Sequence, residues 1–204
     1  MRRAIFMDRD GTVCEEVGYV NHVERLRLIE GSAEAIRKAN LSGFQTVLVT
    51  NQAGVARGYM SEDLVGETHD RLRDLLAEHD ARLDGIYYCP HHPDVGPSRY
   101  RKACECRKPE PGMLLRARDE MGIDLDASYV IGDSIKDVQT AKRVGATGIL
   151  VLTGYGRGQL EYQSAAWSIR PDHVAENLAE SVSWILERGD APPEDRESVA
   201  RRSS

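Results

Sequence analysis

The sequence predicts an α/β fold in which helices cover both faces of a parallel sheet. Three observations point there. Short apolar runs alternate with amphipathic stretches of helical period from residue 3 to about residue 187. The runs are continuously apolar instead of alternating, as strands buried on both faces are. The reactive side chains fall just past the ends of those runs, where open α/β sheets bind ligands.

The elements follow in order. Arg3–Met7 is a short apolar strand. A helix runs from Ser32, read as its N-cap, to a stop at Gly43. Thr46–Thr50 is a β-branched strand. Ser61 caps a longer helix whose first turn holds Glu62 and Asp63, where the helix dipole favours acids. Leu64, Thr68, Leu72, Leu75 and Leu76 form its apolar face. Gly85–Tyr88 is the third strand, and Pro111 opens a helix that ends at Gly122. Tyr129–Ile131 is the fourth strand, Ile135–Val144 a helix stopped by Gly145, and Gly148–Leu152 the fifth strand. Gly154 to Ile169 reads as an irregular surface connection, and a last amphipathic helix carries Leu178, Val182 and Ile185. Residues 188–204 are rich in Pro, Asp, Glu, Arg and Ser and read as a disordered tail. One domain over 1–187, with a loop at 89–106, is expected.

A chain of 204 residues is long enough for one full core. None of its apolar runs approaches the roughly 18 residues that a membrane span needs. Arg2 to Met7 is too short for a signal peptide, so a cytoplasmic protein without a membrane partner is expected. A net charge of -6 disfavours nucleic acid, whose phosphates are bound by basic surfaces. A chain of this size is expected to work as a monomer.

The strand ends carry the chemistry. The first ends in Asp8-Arg9-Asp10-Gly11-Thr12, the second in Thr50-Asn51-Gln52, the fourth in Gly132-Asp133-Ser134 with Asp137 one turn on, and Arg107-Lys108-Pro109 precedes the Pro111 helix. Carboxylates gathered in a low dielectric repel one another. A hard divalent cation such as Mg²⁺, which prefers oxygen ligands, relieves that repulsion. A free carboxylate beside the cation can attack phosphorus, and a second, two residues on, lies near the leaving oxygen. A hydroxyl and an ammonium from other strand ends can match the charge on the phosphoryl oxygens.

Cys89, Cys104 and Cys106 lie near His91 and His92. Three thiolates and an imidazole make a closed tetrahedral zinc site, which is structural because it leaves no position for water. Spacing favours His91 as the fourth ligand, leaving His92 to solvent or substrate. Cys14 lies outside the cluster and reads as a small buried apolar residue.

Together these motifs resemble the haloacid dehalogenase-like phosphatase superfamily: Asp8 to Thr12, Thr50, Lys108, and Gly132-Asp133 with Asp137, in that order. The resemblance implies a three-layer Rossmann-like sheet, cap-less here because only about 40 residues separate the first two motifs. It implies that Asp8 is the nucleophile, that Asp10 is general acid and base, and that Thr50 and Lys108 hold the phosphoryl oxygens. Asp8, the Asp10 carbonyl and Asp133 would hold Mg²⁺. Asp137 is either a further residue of the metal site or a surface acid in a first helical turn. Cys89-Pro-His91-His92-Pro and Cys104-Glu-Cys106-Arg107-Lys108-Pro, with the run from Asn51 to Gly58, resemble the D-glycero-D-manno-heptose 1,7-bisphosphate 7-phosphatases. That family implies substrate contacts from a flap at Glu16, Val17, Gly18 and Tyr19, from Asn51, Gln52 and Ala53, and from Arg107. Arg107 suits a second anionic group, which Arg grips bidentately. Arg57 reads as a solvated loop residue. Ser134 departs from relatives that carry Lys there.

Two other readings compete. A histidinol-phosphate phosphatase shares the loop and the motifs, with Glu16 or Tyr19 available for the amine. A zinc-ribbon nucleic-acid module with 3′-phosphatase activity would use Tyr87, Tyr88, Arg99, Tyr100, Arg101 and Lys102.

Overall fold

A computed structural model describes residues 2–189. Six strands, β1 (Ala4–Met7), β2 (Gln45–Asn51), β3 (Gly85–Cys89), β4 (Tyr129–Gly132), β5 (Thr147–Val151) and β6 (His173–Ala175), pair in parallel in the order β3-β2-β1-β4-β5-β6. The helices are α1 (Ser32–Leu41), α2 (Glu62–Ala77), α3 (Gly112–Met121), α4 (Ile135–Lys142), α5 (Gly156–Gln163) and α6 (Leu178–Gly189).

Successive strand side chains point to opposite faces, so each apolar strand feeds two cores. Ile5 and Met7 of β1 join Ile36, Leu72, Ile131 and Ile185 on one side. Ala4 and Phe6 join Val49, Leu114 and Val130 on the other. The chain order reverses at β1, which lies between β2 and β4, and the crevice beyond such a switch point is where a ligand fits.

Several elements differ from the sequence expectation. The segment read as an irregular connection folds as α5, followed by a 3-10 turn at Ser164–Ala166. Gly156 and Gly158 weaken its helical signal, and tertiary contacts supply what propensity lacks. Gly156 packs so closely on the Val151 carbonyl that a Cβ would overlap it. The unforeseen β6 has three residues, too few to show a period. Gly31, at φ 80°, is the N-cap of α1, so Ser32 is its first helical residue. Pro111 is the N-cap of α3 and lies outside that helix. On α2, Val65 and His69 are buried where Leu64 and Leu75 are only half-buried. Arg188 and Gly189 continue α6 and so leave the expected tail, whose residues 190–204 lie outside the described residues. Among the described residues, no helix is long and apolar enough to cross a membrane.

Candidate active site and cysteine loop

Asp8 follows β1 directly, and its N–H donates to the Ile131 carbonyl at 3.0 Å, tying the ends of β1 and β4 together. Asp133 follows β4 and is buried at 2 % exposure. Room for it depends on two glycines: Gly11 at φ +78° and Gly154 at φ +53° each lie where a Cβ would overlap its carboxylate. Its Oδ2 accepts from the Tyr155 N–H at 2.8 Å. Asp137 closes the group from the first turn of α4. It is 1 % exposed, which overturns the reading of a surface acid, and its carboxylate reaches back to the Ser134 N–H at 3.2 Å in a capping box.

Carboxylate oxygens of Asp8, Asp133 and Asp137 all lie within 4.8 Å of one another. Burial, opposed by Lys108 but reinforced by Asp137 and Asp10, lifts Asp8 to about 6. Burial, with Asp8 and Asp137 beside it, lifts Asp133 to about 8. These shifts mark an excess of negative charge that suits a hard cation. The protein supplies one such charge itself. Lys108 is 3 % exposed, and its Nζ lies 2.9 Å from Asp8 Oδ2 and 2.6 Å from Asp137 Oδ1, and donates to the Val49 carbonyl at 2.9 Å. Burial alone would lower its pKa, but Asp137 and Asp8 outweigh burial and hold the ammonium well above its usual value.

Asp10 does not join that group. Its carboxylate takes a two-pronged grip from Arg9, with Nε on Oδ1 at 3.1 Å and Nη2 on Oδ2 at 3.0 Å. Gln52 Nε2 donates to Asp10 Oδ2 at 2.9 Å and approaches Thr50 Oγ1 at 2.8 Å. Arg9 is 1 % exposed, and it also donates to Gln52 Oε1 and Thr68 Oγ1. Sequence reasoning passed over Arg9, although an arginine between two acids inside a strand-end motif was a signal that it is held by carboxylate. Asn51 is tied up in a similar way. Its amide donates to the Lys108 carbonyl at 3.1 Å and accepts from the Lys108 N–H at 3.0 Å, so it places the main chain of Lys108.

A cavity of about 470 Å³ opens above these groups. It is lined by Asp8, Asp10, Thr50, Asn51, Gln52, Ala53, Arg107, Lys108, Asp133 and, from the flap, Glu16, Gly18 and Tyr19. Val17 does not line it; its side chain packs against the core. Lys136, Tyr155 and Gln159 also line the cavity and were not foreseen. The last two come from the segment that lacked a strand or helix signal. The flap is stapled by Arg25, which donates to the carbonyls of Val17 (3.0 Å) and Tyr19 (2.9 Å) and to Asn21 Oδ1 (2.8 Å). Tyr19 packs edge-on against Tyr59 and over Gly54.

The four predicted loop ligands converge. Cys106 Sγ lies 3.2 Å from Cys89 Sγ, 3.4 Å from Cys104 Sγ and 3.4 Å from His91 Nδ1, and Cys89 Sγ lies 3.5 Å from Cys104 Sγ and 3.6 Å from His91 Nδ1. A tetrahedron with Zn–S bonds of 2.3 Å has edges of about 3.8 Å, so the spacing fits a metal of that size. Hydrogen bonding from Cys89 holds Cys106 down at about 5, while the same contact and burial push Cys89 up. His92 turns away, with its Nε2 3.1 Å from Arg57 Nη2. Glu62 at the start of α2 braces the loop by accepting from Tyr88 and Tyr100, each at 2.7 Å. Cys14 is buried in the core, outside the cluster.

A HAD-hydrolase-like family model matches residues 105–181. The D-glycero-beta-D-manno-heptose-1,7-bisphosphate 7-phosphatase of Photorhabdus laumondii is 46% identical over 153 residues, covering 74% of this chain and 81% of that protein. The enzyme of the same name from Escherichia coli K12 is 46% identical over 152 residues, covering 74% and 80%. Among solved structures, the D,D-heptose 1,7-bisphosphate phosphatase of B. bronchiseptica, complexed with magnesium and phosphate, superposes with a TM-score of 0.81 at 32% identity, covering 91% of this chain and 99% of that one. The strand-end carboxylates, the buried lysine and the cysteine loop thus occur in a chain 46% identical to the Photorhabdus laumondii and Escherichia coli enzymes over most of their length. The chain belongs to the D-glycero-beta-D-manno-heptose-1,7-bisphosphate 7-phosphatase family of HAD-like hydrolases.

Proposed function

We propose that the protein hydrolyses the 7-phosphate of D-glycero-β-D-manno-heptose 1,7-bisphosphate through a phospho-aspartate on Asp8, within one catalytic domain over residues 1–187. The observation that carries the reading is the buried Asp8–Lys108–Asp137 cluster at the floor of a cavity whose rim carries Arg107.

Asp8 attacks phosphorus with one carboxylate oxygen, forming the acyl-phosphate bond as the bond from phosphorus to the sugar oxygen breaks. Asp10 gives its proton to that leaving oxygen. It then takes a proton from the water that attacks the phospho-aspartate, which restores free Asp8 and releases phosphate. Thr50 and Lys108 face the phosphoryl oxygens as their charge spreads in the transition state. Arg9 and Gln52 hold Asp10 by both oxygens and set where its proton is delivered. Mg²⁺, held by Asp8, Asp133 and the Asp10 carbonyl with Asp137 beside them, supplies positive charge to the phosphoryl group when bound. Cys89, His91, Cys104 and Cys106 would hold a Zn²⁺, which would brace the loop that presents Arg107 and Lys108.

Arg107 and Lys136 in the lining favour a second anionic group, whereas Glu16 and Tyr19 are the groups that the amine of histidinol phosphate would meet. The test is phosphate release with Mg²⁺ from both heptose 1,7-bisphosphate anomers, fructose 1,6-bisphosphate and histidinol phosphate, with the Asp8→Asn protein as control. Fast, Asp8-dependent turnover of the β-anomer above the rest is expected, and a preference for histidinol phosphate would overturn the substrate.

A further inference from the structure

Lys136 is an exposed cation in the first turn of α4 that lines the cavity and has no ion-pair partner among the described residues. Arg107 enters the same cavity from the cysteine loop. Its Nη1 donates to the His91 carbonyl at 3.0 Å, which fixes the base of the guanidinium, and its remaining N–H groups have no protein acceptor among the described residues. Arg107 and Lys136 thus line the same cavity from two different elements, the cysteine loop and α4. Glu16, Tyr19 and Tyr155 line the same cavity, so it offers acidic and aromatic groups beside the two cations.

The main chain at this end of α4 cannot serve an anion. The Ile135 N–H donates to Gln159 Oε1 at 2.9 Å, the Lys136 N–H to Ser134 Oγ at 3.4 Å and the Ser134 N–H to Asp137 Oδ2 at 3.2 Å. Ser134 Oγ also accepts from Gln159 Nε2 at 3.3 Å. Ser134 is thus occupied as a helix cap, and an anion at this rim has to be gripped by side chains. Arg107 offers a planar fork and Lys136 a mobile point charge.

We propose that Lys136 is a specificity-determining residue that, together with Arg107, binds the second, non-reacting phosphate of the substrate. This rests on the bisphosphatase reading above. The phosphoryl group under attack sits over Asp8, deep in the cavity. A sugar holds its second phosphate several bonds away, which suits the rim, while Glu16 and the two tyrosines meet the hydroxyls and C–H faces between them. Lys136 is part of no catalytic contact, so its contribution should appear in selectivity.

The experiment measures kcat/KM for heptose 1,7-bisphosphate and for the heptose 7-phosphate that lacks the 1-phosphate, in wild type, Lys136→Ala, Lys136→Glu and Lys136→Arg. The expected result is that the bisphosphate-to-monophosphate ratio falls about tenfold in Lys136→Ala, falls further in Lys136→Glu and recovers in Lys136→Arg, through KM for the bisphosphate. A ratio unchanged by Lys136→Glu would overturn the proposal even if both substrates slow together. A wild-type protein that turns over neither sugar phosphate would overturn the functional reading itself, and the two failures are thereby told apart.

Discussion

The Nζ of Lys108 lies 2.9 Å from Oδ2 of Asp8, the carboxylate read as nucleophile. Asp137 and the Val49 carbonyl take the ammonium's other contacts, so Lys108 is fully engaged before any phosphate arrives. To meet a phosphoryl oxygen it must give up one partner, and a cation on the carboxylates makes that exchange cheaper by taking over their compensation.

Lys108→Met should therefore fail twice. It leaves two buried carboxylates uncompensated and removes a donor from the transition state. We expect a stability loss of about 3 kcal/mol in the metal-free protein and a fall in kcat of at least about 10²-fold. Thermal melts and steady-state kinetics check both, and Mg²⁺ should recover part of the stability but little of the rate.

Asp133→Asn should separate stability from activity. In the metal-free protein burial, with Asp8 and Asp137 beside it, lifts Asp133 to about 8 from the ordinary 3.8. The folded form therefore binds the proton more tightly. The stability this contributes is full below pH 3.8 and is lost as pH rises towards 8. The metal-free protein should melt progressively lower from pH 5 to pH 8, and Mg²⁺ should raise the midpoint most at the alkaline end. Asp133→Asn should flatten that slope, stabilise the metal-free protein at pH 8 by about 2 kcal/mol and abolish turnover. A metal-free Asp133→Asn protein less stable than wild type at pH 8 would contradict this account.

The acid side depends on His69. It is 5 % exposed and its Nε2 has no hydrogen-bond partner among the described residues; burial first, then Arg9 and Arg73, lower it to about 3 from 6.5. Unfolding frees it to take a proton, so stability falls as pH drops from 6.5 to 3, by about 1 kcal/mol per pH unit. His69→Met should reduce that slope in denaturant melts at pH 4 to 6, with little effect above pH 7.

The cysteine loop should carry one zinc per chain. Cys104→Ser leaves three ligands and should lose the metal, lower the melting midpoint and cut activity by loosening the loop ahead of Arg107 and Lys108. Metal analysis beside kinetics tests this. A zinc-free protein with full activity would remove the loop's bracing role.

Arg25→Ala should act on substrate binding alone. The residue is exposed, and its side chain hydrogen-bonds, among the described residues, to the flap carbonyls and Asn21, so the fold should persist. KM for the sugar phosphate should rise about three- to tenfold with kcat nearly constant. Inhibition by inorganic phosphate, expected to bind over Asp8 away from the flap, should not move.

Much of this could be read from the chain. The five longest strands have apolar runs a few residues long, and all but the edge strand β3 are buried almost throughout, so their hydrophobicity shows directly in the sequence. Asp8, Thr50, Lys108 and Asp133 stand at strand ends or in loops where the main chain itself delivers them to the crevice between β1 and β4. The cysteine ligands have short spacers, and local chain geometry brings them together in pairs. β6 and α5 were not legible, because one is too short to display a period and the other owes its helix to packing on Val151 and Asp133.

Sequence by itself determined the architecture and the residue types gathered at the strand ends and in the cysteine loop, because those depend on residue chemistry and on periods within single elements. Only the tertiary structure decided how the charges pair. It placed Arg9 on Asp10, Lys108 between Asp8 and Asp137, and Lys136 on the rim with Arg107. Burial and distance between elements set those pairings, and neither is a property of any local stretch of chain.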